Sequence, residues 1–582
     1  MVFYPPASVP PLPPIPDDVA ICDFMLNERY GRYPLGYSRN PFTCGLSGKS
    51  YSFLEVADRV EFLARALAKE FGWQPNHGAE WDKVAGFFCV NTIDSIPLFW
   101  AIHKLGGLVS PANAAYSAAE LTHQLVDSKS KVLFTCLPLL QTALEAAGKA
   151  GIPRHRIYLV NLPAQFLGSA KAPTEYKTVD QLIEEGKSLP TLEKLKWGPG
   201  QGARTTAFLC YSSGTSGLPK GVMISHRNVI ANIIQICTYE EKYRETLKSP
   251  REQSPYLDVT LGLLPQSHIY GLIVTCHAGP YRGDQVIVLP KFELGTFLNA
   301  IQQFRIACLY LVPPIIITIL RNNELCSKYD LGSVRWIFTG AAPLGAETAT
   351  ELQRQYPNWM VRQAYGMTET ATVVCATSAD DIWYGSSGCL LPGIEARLVS
   401  PDGKEITEYD TPGELLVRSP SVVLGYLNNK KATDETFQDG WLRTGDEAMI
   451  RLSPKKTEHV WIVDRIKELI KVKGLQVAPA ELEAHLLDHP AVADCAVIAV
   501  PDEVAGEVPK AFVVKSPSAG SDDAATVRAI LKHVEDHKAR HKWLKGGIEF
   551  VDAIPKSPSG KILRRLLRDR EKEARRKAGV KL

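Results

Sequence analysis

The sequence lacks paired cysteine motifs, a membrane-length apolar run and an excess of either charge. Its 12 cysteines are scattered, with no CxxC pair, so we expect reduced, buried thiols and no disulfide scaffold. The longest apolar stretch, residues 306–320, carries Pro313 and Pro314 at its centre. It is shorter than the ~20 residues that span a bilayer, so we expect no transmembrane segment.

The net charge limits which partners are expected, and the first residues limit the expected location. With 66 Lys and Arg against 63 Asp and Glu, the formal net charge is +3, which is too small for a surface that neutralises many phosphates. Nucleic acid is therefore not expected as a main partner. The proline-rich start has neither a basic segment nor an apolar core, so it does not predict a secretion signal. A cytoplasmic location is expected.

The order of predicted elements indicates an α/β protein with more than one domain. The 582 residues, 45% of them hydrophobic, are enough for about three or four compact units. Strand-like runs alternate with helical periods, which predicts layered α/β subdomains with largely parallel sheets. From about residue 389, paired strands predict a small β-barrel-like subdomain. We place a large N-terminal domain at residues 1–463 and a small α+β C-terminal domain at residues 464–582.

A loop rich in glycine and hydroxyl groups follows a predicted strand and precedes a helix that begins after the N-cap Ser225. Small residues let backbone N–H groups approach phosphate oxygens, and Lys220 adds a positive charge. A Walker A loop is disfavoured because Pro219 stands where its second glycine is required. The candidate phosphate-binding residues are Ser212, Ser213, Gly214, Thr215 and Ser216.

This loop resembles the signature loop of the adenylate-forming superfamily, which includes acyl- and aryl-CoA synthetases, luciferases and peptide-synthetase adenylation domains. Further segments resemble the family's motifs in the family's order, namely LLPQSHIYGL, FTGAAPLG, QAYGMTET, GWLRTGDEA, VDRIKELIKVKGLQ and PKSPSGK. The hinge and lysine segments resemble those of 4-coumarate:CoA ligases. The resemblance covers roughly residues 50 to 567 and implies a mobile C-terminal domain.

The resemblance implies a site for ATP and Mg²⁺. Glu369 would hold the metal ion, whose preferred ligands are oxygen atoms, and Thr368 would contact the α-phosphate region. Asp446 and Arg465 would bind the ribose, and Lys561 would contact both the substrate carboxylate and the α-phosphate. The full nucleotide set implied is Ser212, Ser213, Gly214, Thr215, Ser216, Lys220, Ala341, Gln363, Ala364, Tyr365, Thr368, Asp446, Arg465, Lys467, Lys471, Gln476 and Lys561.

The same resemblance implies a second half-reaction with a thiol. The C-terminal domain would rotate about Lys467, so that Lys473 and Gly474 line the tunnel for the pantetheine arm of CoA. Lys471 and Gln476 would then lie near the nucleotide phosphate. His268 would reorient between the two poses. The catalytic residues implied are Lys561, His268, Glu369, Thr368, Lys471 and Gln476.

The acyl pocket implied by the resemblance is apolar and departs from that of plant hydroxycinnamate ligases. Ala364 replaces a glycine, Thr372 a proline and Val274 a small polar residue, which reshapes the pocket and removes a partner for a phenolic hydroxyl. We therefore expect unsubstituted aryl or medium-chain aliphatic acids. The pocket residues are His268, Tyr270, Val274, Gly340, Ala341, Ala364, Gly366, Thr372 and Val373.

The function that these motifs favour is an ATP- and Mg²⁺-dependent acid:CoA ligase that makes an acyl adenylate and then a thioester. Three alternatives remain: transfer to a carrier-protein thiol, a luciferase-like oxygenase, and a non-catalytic acyl- or nucleotide-binding protein. The intact Lys220, Glu369, Asp446 and Lys561 argue against the last. The tripeptide at residues 580–582 resembles the peroxisomal SKL address except at its first position, so a peroxisomal location is an alternative to the cytoplasm.

One further histidine pattern has the spacing of helical turns. It comprises His485, His489, His533, His537 and His541, a geometry compatible with metal binding. The glutamate of an HExxH motif is missing, and the polar neighbours predict exposed helix faces. A zinc site is therefore not expected here.

Overall fold

The computed structural model describes residues 1–170, 173–212, 219–248, 256–473, 475–502, 504–557 and 560–577. Four β-sheets carry the architecture, and helices cover the two larger ones. Three groups of predicted functional residues lie outside the described residues: Ser213 to Ser216, Gly474 and the tripeptide at 580–582.

The first sheet has seven strands and is parallel over most of its width. In order across the sheet, its strands are Gly425–Tyr426, Lys220–Ser225, Thr206–Ser212, Leu108–Ala112, Val84–Phe88, Val132–Thr135 and Ile157–Leu159. The first three pair antiparallel and the other four parallel. Their near-continuous apolar sequence suits parallel strands that are covered on both faces.

The second sheet has nine strands with a parallel centre and antiparallel edges. Its strands, in spatial order, are Cys389–Leu390, Thr372–Ala376, Met360–Met367, Trp336–Thr339, Cys308–Leu311, Val259–Gly262, Gln285–Val288, Phe42–Cys44 and Ser50–Tyr51. The carboxyl ends of its central parallel strands meet at one edge, where ligands bind in open α/β sheets.

A third, antiparallel sheet follows in the chain and confirms the predicted β-rich subdomain. Its strands are Glu405–Ile406, Glu395–Val399, Gly413–Arg418, Trp441–Leu452 and Phe437–Gln438, with Glu458–Arg465 paired to the long strand. Inward and outward residues alternate along Gly413–Arg418, as expected for a sheet with one buried face.

The C-terminal sheet has a hydrophobic core of its own, formed by buried residues between Ile470 and Leu567. Its strands are Leu475–Val477, Ile470–Val472, Gly506–Lys515, Val492–Asp502 and Ile548–Phe550. The predicted large α/β N-terminal domain with a barrel-like subdomain and a small C-terminal domain is therefore confirmed. The boundary at residues 463 and 464 stays a prediction.

The α-helices pack on the faces of these sheets, and several begin with a side-chain cap. Ser225 accepts a hydrogen bond from the backbone of Asn228 and caps the 21-residue helix that begins at His226, as predicted. The helices are Ile21–Leu26, Phe53–Phe71, Ser95–Lys104, Ala118–Asp127, Leu140–Lys149, Ala164–Leu167, Val179–Lys187, Gln201–Arg204, His226–Thr246, Gly279–Tyr281, Leu294–Phe304, Pro313–Arg321, Asn323–Cys326, Ala346–Gln355, Lys430–Thr436, Pro479–Leu487, Asp523–His537 and Arg564–Lys577.

Two local features were not predicted from the sequence. The strands Thr206–Ser212 and Lys220–Ser225 pair antiparallel, so the chain returns as a strand before the helix begins at His226. Residues Tyr270–Ala278, which contain part of the predicted acyl pocket, form a buried π-helix, a rare conformation that occurs often at functional sites.

The pairing of the cysteines and the lengths of the helices can be compared with the expectations drawn from the sequence. All 12 cysteines are unpaired, and all but Cys237 are buried. Among the described helices, none combines the length and the apolar character that crossing a bilayer requires.

Four of the five noted histidines come together in the C-terminal domain, where the ring centroids of His489 and His533 are also 5.3 Å apart. The rings of His485 and His533 stack with centroids 4.2 Å apart and planes 8° from parallel, and one ring nitrogen from each of these two and of His537 lies within 4.8 Å of the others. A ring nitrogen directs its lone pair in the plane of the ring, so two stacked rings cannot both point at one ion. The stacked pair as it stands does not have the geometry of a metal site.

Candidate active site

Glu369 lies at the centre of the predicted phosphate region. It sits on the short 3-10 turn Thr368–Thr370, which directly follows the strand Met360–Met367, and is buried. Ser212 Oγ and Tyr426 Oη donate to its Oε1 at 3.2 and 2.9 Å. Lys220 Nζ lies 4.7 Å from the centre of the Tyr426 ring. The start of the signature loop, its lysine and the predicted metal ligand therefore meet at one place.

Asp446 and its neighbours form a second cluster. Tyr365 Oη donates to Asp446 Oδ2 at 2.6 Å, and Arg465 Nε lies 3.7 Å from Oδ1. Asp446 and Arg465 face each other on paired strands of the third sheet. Burial raises the pKa of Asp446, and the positive charge of Arg465 acts in the opposite direction. The carboxylate is thus held between a hydroxyl and a guanidinium, with the geometry of a hydrogen-bond acceptor.

Lys561 reaches these clusters from the C-terminal domain. Its loop turns at Gly560, which has a φ of +79°, and a Cβ there would lie 3.2 Å from Val312 Cγ2 and 3.4 Å from Pro314. The C-terminal domain therefore packs against the end of a strand in the second sheet. Burial, together with the charge of Arg465, lowers the pKa of Lys561 to about 8, while Asp446 and Glu369 act to raise it. A lysine in such surroundings is sensitive to small changes in local charge.

His268 lies on the acyl side of this lysine. Its Nδ1 accepts a hydrogen bond from the Tyr270 backbone N–H at 3.3 Å. Burial and the nearby charge of Lys561 lower the pKa of His268 to about 4, so the imidazole is neutral near pH 7. Tyr270 Oη donates to the Phe338 carbonyl at 2.8 Å, which fixes the ring at the start of the π-helix.

The predicted acyl and adenine residues surround Tyr270. A Cβ added to Gly340 would lie 3.2 Å from the Ala364 carbonyl and 3.5 Å from Tyr270 Cε1. Ala341 has a φ of +67°, and Gln363 Oε1 accepts from the Leu344 backbone at 3.0 Å. Gly340, Ala364 and Tyr270 are therefore neighbours, as the motifs implied.

The backbone between Gly366 and Thr372 is strained. A Cβ on Gly366 would lie 1.6 Å from the Thr372 carbonyl oxygen, so only glycine fits there. Thr372 has a φ of +125°, which is rare for a β-branched residue, and its Oγ1 donates to the Ile269 carbonyl at 3.2 Å. Such strain persists where surrounding contacts over-determine the conformation, as at functional sites.

A cavity lies beyond these residues, between the second sheet and the helix His226–Thr246. Val274 and Val373, two predicted acyl contacts, line it together with Ile236, Phe338, Ala376 and Leu391. Polar side chains that the sequence analysis missed also line it, among them Tyr239, Glu240, Arg282 and Tyr310. The only signal in the sequence was a charge at the end of an apolar run, which does not show where the side chain points.

The described hinge-segment residues predicted for the thiol step are exposed, unlike the buried Glu369 and Asp446. Lys471, Lys473 and Gln476 are exposed on the hairpin that begins the C-terminal sheet, and Lys473 has a φ of +51°. Lys467 is exposed in the turn that follows Arg465. The described pose thus brings Lys561 beside Asp446, whereas the other lysines of the hinge segment face solvent.

Comparison with known proteins assigns the family. The family model described as AMP-binding enzyme matches residues 36–427, and the model described as AMP-binding enzyme C-terminal domain matches residues 481–561. The chain belongs to the AMP-binding enzymes. This confirms the predicted membership of the adenylate-forming superfamily.

The relatives and solved structures agree with this assignment. The chain is 41% identical to acyl-CoA ligase easD of Emericella nidulans, covering 98% of this chain and 100% of that one, and 40% identical to acyl-CoA ligase cm3C of Cordyceps militaris, covering 98% and 90%. These relatives confirm the predicted enzyme class, an AMP-forming acyl-CoA ligase. The crystal structure of ATP-bound MatB from Rhodopseudomonas palustris is 26% identical with a TM-score of 0.76, covering 96% of this chain and 100% of that one. The anthranilate CoA ligase AuaEII with anthranoyl-AMP has a TM-score of 0.78 at 24% identity, covering 96% and 98%, which shows the shared fold.

Proposed function

We propose that the enzyme activates an aryl or medium-chain aliphatic acid with ATP and transfers the acyl group to the thiol of free CoA. The observation that carries this proposal is the placement of Lys561, half-buried and electrostatically coupled to His268, Asp446, Arg465 and Glu369. One ammonium group there can face both a nucleotide and an acid. A lysine on an exposed loop would face solvent and would contact neither of them.

In the first half-reaction the substrate carboxylate attacks the α-phosphorus of ATP, and pyrophosphate leaves. Negative charge spreads over the phosphoryl oxygens in the transition state, so cations must converge on it. Lys561 approaches from the C-terminal domain, and Lys220 lies beside Tyr426. Fixed charges in a site that excludes water stabilise such a transition state more than they would in bulk solvent.

Glu369 would hold Mg²⁺ in this reaction. The described donors to its side chain, Ser212 and Tyr426, both bond Oε1, and a carboxylate oxygen is the type of ligand that Mg²⁺ prefers. When bound, the ion would supply positive charge to the phosphate oxygens. Thr368, one residue earlier on the same turn, would orient the α-phosphate with its hydroxyl.

The nucleoside would be fixed at the second cluster. Asp446 can accept hydrogen bonds from vicinal ribose hydroxyls, because the donor from Tyr365 goes to Oδ2 and a carboxylate has further acceptor positions. Arg465 adds donors to the same sugar. Gly340, Ala341 and Ala364 would form the narrow wall on which adenine packs.

In the second half-reaction the C-terminal domain would rotate about Lys467, which lies exposed between the third and C-terminal sheets. The rotation would withdraw Lys561 and bring Lys471, Lys473 and Gln476 to the adenylate. Rigid-body closure about one or two residues at the end of an element is a common domain motion. The neutral His268 would let the thiol pass without adding a charge to the apolar route.

The thiol that accepts the acyl group distinguishes this proposal from its nearest alternative. The names of the relatives, acyl-CoA ligases, support CoA over the thiol of a carrier protein. A non-catalytic binding protein is disfavoured, because Lys220, Glu369, Asp446 and Lys561 are all present.

The test is pyrophosphate release over a panel of acids, with and without CoA, together with mass detection of acyl-AMP and acyl-CoA. Lys561→Ala should lower adenylation on the order of 10²–10³-fold. Lys556→Ala is the matched control, since Lys556 lies in the same loop but pairs with Asp494 at 2.7 Å; it should leave adenylation within about threefold. Adenylate without thioester would favour a carrier protein, and no pyrophosphate with any acid would contradict the proposal.

A further inference from the structure

Arg282 places a buried hydrogen-bond donor at the wall of the cavity beside the acyl residues. Its side chain is 8% exposed, and its Nη1 has no hydrogen-bond partner among the described residues. A buried donor of a charged group that is left unbonded lowers stability substantially. The Cys237 thiol also lies beside this guanidinium, but sulfur is only a weak acceptor. Nη1 can therefore still take a stronger acceptor from a ligand.

The rest of the guanidinium is held in place. Nε donates to Asp284 Oδ2 at 3.0 Å, and Nη2 lies 3.4 Å from Tyr310 Oη. Asp284 is itself fixed, because its Oδ1 accepts from Arg244 Nη2 at 2.6 Å and from the Asp258 backbone at 2.8 Å. Arg282 cannot turn to another partner without breaking this network. Nη1 is therefore oriented in advance, which reduces the entropy lost when a ligand binds.

The charges around the cavity are already balanced. Arg282 and Arg244 share Asp284 and Asp258. Two further groups, Arg362 and Glu240, pair through two hydrogen bonds of 2.7 and 2.8 Å. If the ligand placed a carboxylate in this cavity, that negative charge would be buried without a free positive partner, which lowers the binding free energy gained. An uncharged acceptor is therefore favoured.

The size and lining of the cavity restrict the ligand further. The volume is ≈ 20 Å³, room for about one water molecule, and the walls near Val274, Phe338 and Val373 are apolar. A single hydroxyl or carbonyl oxygen has the size of one water. The cavity therefore has room for the oxygen alone, and the chain that carries it would lie outside, along Val274 and Val373.

We propose that Arg282 recognises an uncharged oxygen acceptor, a hydroxyl or a carbonyl, that the substrate acid carries near the end of its chain remote from the carboxylate. This inference rests on the proposed function and names the class of acid for the same site. It differs from the sequence-based expectation that the pocket lacks a partner for a phenolic hydroxyl and favours unsubstituted acids, which stays a prediction. Arg282 is a specificity-determining residue in this account and takes no part in the chemical step.

The experiment compares acids of equal length that differ in one oxygen. Straight-chain acids of six to ten carbons would be tested with no substituent, and with a hydroxyl or a keto group moved one carbon at a time toward the distal end. We expect kcat/KM for adenylation to peak at one position, about 10- to 100-fold above the unsubstituted acid, as for a hydrogen bond to a charged group. The dicarboxylic acid of the same length should not share the peak.

Two variants test whether Arg282 is the donor that binds the substrate oxygen. Arg282→Met should remove the peak and leave the unsubstituted acid within a few-fold of wild type. Tyr310→Phe is the matched control: it removes the neighbouring hydroxyl but keeps Nη1, so the peak should remain. If Arg282→Met does not fold, the position-dependent peak of the wild-type enzyme still decides the question.

The outcomes separate this inference from the proposed function. Adenylation of many acids with no preferred oxygen position would mean that a resident water completes Nη1, and it would overturn the inference alone. A peak that survives in Arg282→Met, or a peak for the dicarboxylic acid, would also overturn it. Absence of adenylation with every acid would instead contradict the proposed function.

Discussion

Tyr365 donates a hydrogen bond of 2.6 Å to the buried Asp446, and this contact joins the second sheet to the third at the proposed nucleotide site. The tyrosine lies on the strand Met360–Met367, and the aspartate lies on the strand Trp441–Leu452. The position of the proposed ribose acceptor therefore depends on a side chain from another sheet. This relationship leads to the first of four predictions.

Tyr365→Phe should weaken ATP binding while the ring remains in place. The variant removes a donor to a buried carboxylate, worth about 1.5 kcal/mol, so KM for ATP should rise about tenfold with a smaller change in kcat. Steady-state pyrophosphate release at varied ATP measures this. Asp446→Asn should have the larger effect, and an unchanged KM in Tyr365→Phe would show that the hydrogen bond does not hold Asp446 for ATP.

The charge of Lys561 should determine how kcat/KM for adenylation falls at alkaline pH. Its pKa is lowered to about 8, and a lysine loses its charge as the pH rises through its pKa. kcat/KM, which reports the free enzyme, should therefore fall above pH 8. With ATP saturating, the phosphate charges raise the pKa of the lysine, so kcat should fall only at higher pH. Lys561→Arg, whose charge persists, should show no such limb, and a limb retained in that variant would assign it to another group.

Gly366→Ala should disrupt the 3-10 turn Thr368–Thr370 that carries Glu369. The added methyl would lie 1.6 Å from the Thr372 carbonyl oxygen, so the strand pair must separate and move Glu369. We expect adenylation to fall at least 10²-fold and stability to fall by about 1–3 kcal/mol. Gly36→Ala is the control, because a methyl there would meet no described heavy atom within 4 Å. Thermal unfolding and pyrophosphate assays on both variants measure the difference; equal behaviour would contradict the prediction.

His277 should make the N-terminal domain sensitive to acid. Trp100 Nε1 donates to His277 Nε2 at 3.0 Å, so Nδ1 carries the proton and donates to the Leu272 carbonyl at 2.7 Å. Burial lowers the pKa of His277 to about 4, below its value near 6.5 in the unfolded chain. Protonation therefore favours unfolding, and the stability present above pH 6.5 is lost as the pH falls toward 4.

The size of this effect follows from the shift. One pKa unit corresponds to about 1.4 kcal/mol, so His277 should account for about 2 kcal/mol of the stability lost between pH 6.5 and pH 5. His103 and His226 are also buried with lowered pKa values, so wild type should lose more than this. Melting temperatures of wild type and His277→Gln at pH 7 and pH 5 measure the contribution. An identical loss in both proteins would rule out His277 as a source.

Much of the site was predictable from sequence because its residues belong to short, ordered motifs. Glu369 lies in a turn after a strand, Asp446 lies within a strand, and Lys561 follows the turn at Gly560. The structure brings these three residues close to one another. The strand Lys220–Ser225 was missed because a short apolar run after glycines fits a loop or a strand equally well. Arg282 was missed for a different reason: a donor left without a partner is a property of tertiary packing, which no local pattern contains.

The strand Cys308–Leu311 connects the two ends of this site. Cys308 and Tyr310 line the cavity, and directly after the strand Val312 and Pro314 form the surface on which the Gly560 turn rests. An acid in the proposed pocket and the loop of Lys561 would therefore contact the same short segment. If a shift of this segment changes the affinity for one of them, linkage requires the same change in the affinity for the other.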